Sequence, residues 1–162
     1  MKSMIGLMLA ACLVLPLAAC KKEEAVKVEK APVAAPTTDD KAAWNAYLSD
    51  QVPRHLGDIP SSNLYVYRVP SVVNESDPGE YERLLDKAKM DVARGIVKGN
   101  MLAYAGLDPT KTADLVVASF EGVPANTMKG VRVLFIGDAA NSERVKAAVD
   151  PAGVDYVFVE AK

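Results

Sequence analysis

Two apolar runs near the end of the chain constrain its fold more than any other feature. They cover residues 131–136 and 156–159, and between them a helical pattern runs from Ser142 to Val149. Apolar density of this kind is typical of strands covered on both faces, and the 19 residues between the runs are enough for a parallel crossover, which needs about a dozen. We therefore predict a parallel βαβ unit with a right-handed connection.

Earlier segments continue this alternation of helix and strand. Residues 40–52 have apolar side chains at helical spacing, and Pro53 is placed to end that helix. Residues 64–69 alternate as a strand does. The apolar run at 101–104 is too short to assign by its pattern alone.

Two aspartate-proline pairs predict further helix starts. Asp77 and Asp108 are each followed by a proline, which suits an N-cap and a first helical turn. Apolar stripes follow both pairs, and Gly95 and Gly122 are placed to end the two helices. Many charged residues lie on the first of these helices, but acidic and basic side chains alternate there, which indicates a solvated face.

These patterns together predict a small α/β domain. Its sheet is expected to hold three or four strands, with the C-terminal parallel βαβ unit and flanking helices, after a signal peptide and a flexible tether. Half of the 162 residues are apolar, which is the composition of a folded chain and not of a disordered one.

The first twenty residues carry a separate signal. After Lys2, residues 4–19 contain no charge, which matches the charged start and apolar centre of a secretory leader. A membrane-spanning helix needs about 20 apolar residues, and this stretch is shorter and contains Pro16. It ends in Leu17-Ala18-Ala19-Cys20, which resembles the lipobox of Gram-negative bacterial lipoproteins.

The resemblance implies a signal peptide over residues 1–19 and a lipid anchor on Cys20. In such lipoproteins the thiol is joined to diacylglycerol and the new amino terminus is acylated, so that palmitate-like chains hold the protein in the membrane. Each buried methylene contributes about 0.8 kcal/mol, and more than one chain gives stable anchoring. Residue 21, directly after the cysteine, is Lys and not the Asp that marks retention in enterobacterial sorting patterns. By this resemblance the protein is expected in the inner leaflet of the outer membrane, with its domain in the periplasm.

The same four letters occur earlier, ending at Cys12. Cleavage there is disfavoured because only eight apolar residues precede that cysteine. The product would also begin with the apolar residues 13–17 instead of a polar tether. The chain is therefore divided into a leader (1–19), a lipidated cysteine with a flexible tether (20–40) and one periplasmic domain (41–162). The whole chain is also similar to small proteobacterial lipoproteins of unassigned function.

Composition argues against several kinds of chemistry in the domain. Both cysteines lie in the first twenty residues, so residues 41–162 offer no disulfide, thiolate nucleophile or zinc-thiolate site. The formal net charge is −2, and loss of a leader that carries one lysine lowers it to −3. This balance gives no attraction to nucleic acid, and no motif indicates a cofactor.

The fold predicts one place for a ligand, the carboxyl end of the strand at 131–136. Asp138 and Asn141 lie there, and crevices at strand ends are the usual binding positions in open α/β sheets. No glycine-rich phosphate motif follows the strand, however. Asp138 and Asn141 are more simply interpreted as a turn residue and a helix cap.

Four other residues are candidates for chemistry or recognition. His55, the only histidine, lacks nearby partners for a metal site, and Ser119 does not lie in the Gly-x-Ser-x-Gly turn of hydrolases. Tyr65 and Tyr67 point to one side of a strand and would form a recognition surface if exposed on an edge, but burial is favoured.

No constellation of side chains supports catalysis. The leading hypothesis is a non-enzymatic lipoprotein that binds another protein or serves as an accessory of the envelope or of a secretion machinery. An immunity lipoprotein that neutralises a toxin acting in the periplasm is the first alternative. A small ligand carrier or enzyme with a site near Asp138 is the second.

Overall fold

The structure, a computed structural model, describes residues 31–71 and 76–162. The leader, Cys12, Cys20 and the first part of the predicted tether lie outside these residues. Residues 31–162 belong to one compact unit. Its elements in chain order are α1 (Lys41–Arg54), β1 (Leu64–Val69), α2 (Glu80–Ala93), β2 (Met101–Gly106), α3 (Pro109–Ser119), β3 (Arg132–Gly137), α4 (Ala139–Val149), a short 3₁₀ turn (Asp150–Ala152) and β4 (Asp155–Glu160).

The four strands form one parallel sheet in the order β1-β2-β3-β4. Each connection between neighbours is a helical crossover, and the predicted α/β class and the C-terminal βαβ unit are confirmed. Because right-handed crossovers that always advance in one direction return over the same side, α2, α3 and α4 share one face of the sheet. Residues of all three helices accordingly belong to one core cluster, and α1 contributes to another.

The helix-covered face holds the larger of the two cores. Tyr67, Tyr104 and Phe135 project from successive strands into it, each with at most 1% of its surface exposed. The rings of Tyr67 and Tyr104 stack with centroids 4.8 Å apart, and Ala88 of α2 and Val116 of α3 close the layer above them. Residues of β3 belong to both core clusters, which confirms that this apolar run is a strand covered on both faces.

The opposite face is covered by α1 and by the segment that precedes it. Trp44 and Tyr47 of α1 pack on the central strands β2 and β3, while Val33 and Ala35 pack beside them. β2 has all six residues buried because it lies between two strands and two layers. The short run that the sequence left unassigned is therefore a central strand.

Residues 31–40 do not behave as the second half of a tether. The backbone N–H of Ala35 donates to the Lys162 carbonyl at 2.6 Å, and the Val33 N–H donates to the Asp50 carboxylate at 3.0 Å. The Trp44 indole donates to the Thr38 carbonyl at 2.9 Å. The structure thus moves the start of the folded unit from residue 41 to about residue 31, because the aromatic side chains of α1 need a cover that α1 alone cannot give.

Two helix ends also differ from their prediction. α2 begins at Glu80 with Gly79 as its N-cap and no side-chain cap, because the Asp77 carboxylate pairs with the Arg83 guanidinium instead. Pro53 lies inside the last turn of α1, which continues to Arg54. A proline so close to the carboxyl end removes one helical hydrogen bond without stopping the helix.

Candidate functional site

Asp138 and Asn141 lie where the sequence predicted, at the carboxyl end of β3. The Asp138 carboxylate accepts the Asn141 backbone N–H at 3.0 Å and its side-chain amide at 2.6 Å, so it caps α4. Asn141 is 8% exposed and accepts from the Arg144 guanidinium at 2.7 Å. Both polar groups have partners within the domain, which supports the capping interpretation.

Arg144 completes this network, and sequence reasoning did not single it out. Its guanidinium also donates to the Asp114 carboxylate at 2.8 Å and to the Thr110 carbonyl at 2.9 Å, both on α3. The side chain therefore ties the amino-terminal parts of α3 and α4 together. The i,i+3 spacing of Asn141 and Arg144 was visible in the sequence, but the contacts with α3, distant along the chain, were not.

The carboxyl ends of β2 and β3 leave little place for an anion. Helix amino termini attract phosphate and carboxylate ligands, but Asp108 already accepts from the first N–H groups of α3 as Asp138 does for α4. The strand ends are closely packed as well. A Cβ at Gly106 would lie 2.7 Å from the Val69 carbonyl, and one at Gly137 would lie 2.5 Å from the Phe135 ring.

The order of the strands explains why no switch-point crevice lies beside Asp138. In open sheets, a ligand crevice forms where two neighbouring strands send their crossovers to opposite faces. Here the three crossovers lie on one face, so the sheet has no such switch point. The premise that placed a ligand near Asp138 does not hold for this order.

His55 and Ser119 have structural partners. Burial and the nearby charges of Arg132 and Arg54 lower the pKa of His55, and its backbone carbonyl accepts from the Arg132 guanidinium at 2.9 Å. Ser119 is buried in α3, where its hydroxyl donates to the Val116 carbonyl at 2.9 Å and lies 3.4 Å from the Tyr104 hydroxyl. Across residues 31–71 and 76–162, no cluster of histidine, cysteine and carboxylate side chains is arranged to hold a metal ion.

A groove of about 560 Å³ opens at the other end of the sheet, between the carboxyl ends of α2 and α3. Val92 and Met128 contribute apolar lining, and Lys89 and Glu121 contribute charged side chains. The Ser119 hydroxyl at its wall is already bonded within α3. Small-ligand sites combine an apolar pocket with a few convergent polar groups, and this groove offers the first without the second.

The first βαβ unit carries a different kind of surface. Among the described residues, the exposed large hydrophobic side chains are Val66 on β1, Met90 on α2 and Val97 in the turn after α2, with exposures of 45%, 53% and 69%. All three lie between residues 64 and 106. We call the outward side of β1 and α2, which holds Val66 and Met90, the β1 flank.

The tyrosines of β1 point away from this flank, into the helix-covered core. Tyr67 is buried, and its hydroxyl donates to the Asp91 carboxylate at 2.9 Å. Tyr65 is half-buried against the same core. β1 is an edge strand, as the recognition hypothesis required, but the residue that its uncovered face presents is Val66 and not a tyrosine.

The exposed charges of α2 on the β1 flank are mostly positive. Arg83, Lys87 and Arg94 line a shallow surface groove with Met90, and each of the three has more than half of its side chain exposed. Arg83 pairs with Asp77, whereas the partner of Lys87 and Arg94 is Asp91, which is only 12% exposed and also accepts from the Tyr67 hydroxyl. The flank therefore presents Val66 and Met90 together with these exposed cations.

Comparison with protein-family models, with curated proteins and with solved structures gave no match. The helices of residues 31–71 and 76–162 are all too short or too polar to cross a membrane.

Proposed function

We propose that the protein is a non-enzymatic, lipid-anchored module that binds another protein in the periplasm of a Gram-negative bacterium. The anchor is proposed from the resemblance of Leu17-Ala18-Ala19-Cys20 to a lipobox, with Cys20 as the acylated residue and the outer membrane as its location. The domain is proposed as the binding part.

One observation carries the binding role. The exposed large hydrophobic side chains of the described residues are concentrated in the first βαβ unit, whereas the polar groups at the strand carboxyl ends are bonded to one another. Exposed apolar side chains with charged residues around them are typical of surfaces that contact other proteins. The partnered state of Asp138, Asn141 and Ser119 also supports binding over catalysis.

The binding role is tested by photocrosslinking in living cells. A photoreactive amino acid is placed at Val66 or Met90 of the full chain, and at Ala147, which is exposed on α4, as the matched control. We expect a discrete protein adduct from Val66 and Met90 and none from Ala147. The identity of the adduct separates an envelope or secretion component from a periplasm-acting toxin, which would make the chain an immunity protein.

Failure of both flank positions to give an adduct, or equal adducts from Ala147, would refute the proposed surface. The anchor is tested separately by acyl labelling. Cys20→Ser is expected to abolish labelling, because only the thiol accepts the diacylglycerol, and Cys12→Ser is expected to retain it. Labelling that depends on Cys12 would contradict the assignment.

A further inference from the structure

The outer edge of β1 presents a row of backbone groups without partners in the described part of the chain. The Met101 N–H donates to the Asn63 carbonyl, which fixes the alternation along the strand. Tyr65 and Tyr67 therefore face β2 with their backbone groups, and the N–H and C=O groups of Leu64, Val66 and Arg68 face outward. Within residues 31–71 and 76–162, no backbone or side-chain bond is made to these six groups.

β1 also lacks the features that usually protect an edge strand. Such strands are commonly interrupted by proline, bent by a bulge or guarded by a charge at their centre. β1 pairs with β2 in uninterrupted register from Leu64 to Val69, and its central outward residue is Val66. Its one charged side chain, Arg68, pairs with the Asp39 carboxylate at 2.8 Å and with the Glu80 carboxylate at 3.6 Å.

The charged side chains of α2 above this edge indicate which charge a bound segment would carry. Asp91 and Lys87 of α2 contact Tyr67, so α2 covers the inner face of β1, and Arg83 and Arg94 stand on its outward side. A strand added beside β1 would have these cations above one of its faces. Val66, which is 45% exposed, and Leu64 would lie beside residues of its other face.

We propose that the β1 edge accepts an extended segment of a partner protein as a fifth strand, and that this segment alternates apolar with acidic residues. Backbone hydrogen bonds to Leu64, Val66 and Arg68 give the affinity. The apolar residues pack beside Val66, and the acidic residues face the α2 cations. The inference rests on the proposed protein-binding role and names the chemistry of the bound segment.

The test uses the full chain in detergent micelles and an acetylated octapeptide of alternating valine and glutamate. Binding is measured by fluorescence anisotropy, and protection of individual amides is followed by hydrogen exchange. We expect protection of the Leu64, Val66 and Arg68 amides. An otherwise equal peptide of valine and lysine is expected to bind about tenfold or more weakly, because it places cations under the α2 row.

Val66→Pro is the sharpest variant, since the Val66 N–H faces outward and its loss removes no bond to β2. We expect it to weaken peptide binding about tenfold or more. Val66→Thr keeps the N–H and the branched shape and should bind within about twofold of the original. Glu160→Pro is the matched control on β4, because its N–H also faces outward and its side chain is exposed. It should leave binding unchanged.

A peptide N-methylated at every second residue tests the same bonds without changing the protein. Methylation on the edge that meets β1 should abolish binding, and methylation of the intervening residues should not. The proposal would be overturned if Val66→Pro and both methylated peptides bound as the originals do. It would also be overturned if Glu160→Pro weakened peptide binding as much as Val66→Pro, or if the acidic peptide did not bind at millimolar concentration. If the crosslinks from Val66 and Met90 persist in that case, protein binding stands and only strand addition fails.

Discussion

The two edges of the sheet are built differently, although both belong to parallel strands of six residues. β4 begins and ends with the exposed charges of Asp155 and Glu160, and the chain's own Ala35 donates to Lys162 just beyond it. β1 carries Val66 at its centre, and among the described residues the contacts of the preceding segment lie only at its carboxyl end, where Asp39 accepts from the Arg68 guanidinium and from the Ser71 N–H.

The burial of the two edge strands shows the opposite contrast, because the face of β1 under the helices is more deeply buried than that of β4. On the helix-covered side, Tyr67 of β1 is 1% exposed, whereas the corresponding Phe158 of β4 is only half-buried. β1 is thus firmly held on one face and open along its backbone, and β4 is loosely covered but guarded at its ends. A rigid strand with an open edge is a suitable template for a partner, because it loses little conformational entropy on binding.

The largest expected effect comes from the buried side of β1. Tyr67→Ala should lower the free energy of unfolding by about 3 to 5 kcal/mol, because it leaves a cavity beside Tyr104 and removes the donor to Asp91. Phe158→Ala on β4 should cost roughly half as much, since its ring is only partly buried. Urea unfolding of both variants measures the difference.

Equal losses for the two variants would mean that β1 is no more firmly packed than β4. Phe135→Ala provides the reference for a fully buried ring in a central strand, and its cost should resemble that of Tyr67→Ala.

The second effect tests the segment that covers β4 and α1. A protein that begins at residue 39 should be less stable than one that begins at residue 31 by about 2 to 4 kcal/mol, because it loses apolar burial and the bonds to Trp44, Asp50 and Lys162. Thermal and urea unfolding of the two proteins gives the comparison.

Two adjacent apolar residues supply the control for this segment. Val33 packs against the α1 core, and Ala34 is exposed. Val33→Ser should account for part of the loss, and Ala34→Ser should be nearly neutral because it changes only a solvated side chain. If the shorter protein is as stable as the longer one, residues 31–38 are a tether after all.

The architecture could be predicted because it depends on local patterns. The apolar runs of β3 and β4, the Asp108 cap and the Gly95 stop each report their element directly in the sequence. β2 could not be assigned, because a central strand owes its burial to neighbours on both sides and not to its own pattern. The packing of residues 31–40 was missed for a related reason, since a polar, proline-containing segment shows its role only when the face beneath it is known.

The surface was harder to foresee than the fold. The carboxyl end of β3 was the predicted place for a ligand because of a general property of α/β sheets. The order of the strands decides whether a crevice exists there, and this order cannot be read from the sequence of any single element. Sequence reasoning favoured burial of the β1 tyrosines, which the structure confirms, but it did not single out Val66. Alternation separates the two faces of a strand, but it does not tell which face the helices cover.

The smallest effect concerns the bond that holds α2 to β1. Burial opposes ionisation of Asp91, but hydrogen bonds from Lys87 and Tyr67 outweigh it and hold the pKa of this carboxyl below its ordinary value. Asp91→Asn should therefore cost about 1 to 3 kcal/mol at pH 7. Asp86→Asn, an exposed carboxylate on the same helix, should change stability by less than about 0.5 kcal/mol.

The pH dependence separates the charge of Asp91 from its shape. A carboxyl whose pKa is lower in the folded than in the unfolded protein stabilises the fold above the unfolded value, about 3.9 for aspartate, and loses this contribution as the pH falls through the folded value. The difference between the original protein and Asp91→Asn should be constant from pH 7 to about pH 5 and shrink below about pH 4. Urea unfolding at each pH measures it. A difference that persists undiminished at about pH 2 would show that the amide fails for steric reasons, and that β1 is held to α2 by packing alone.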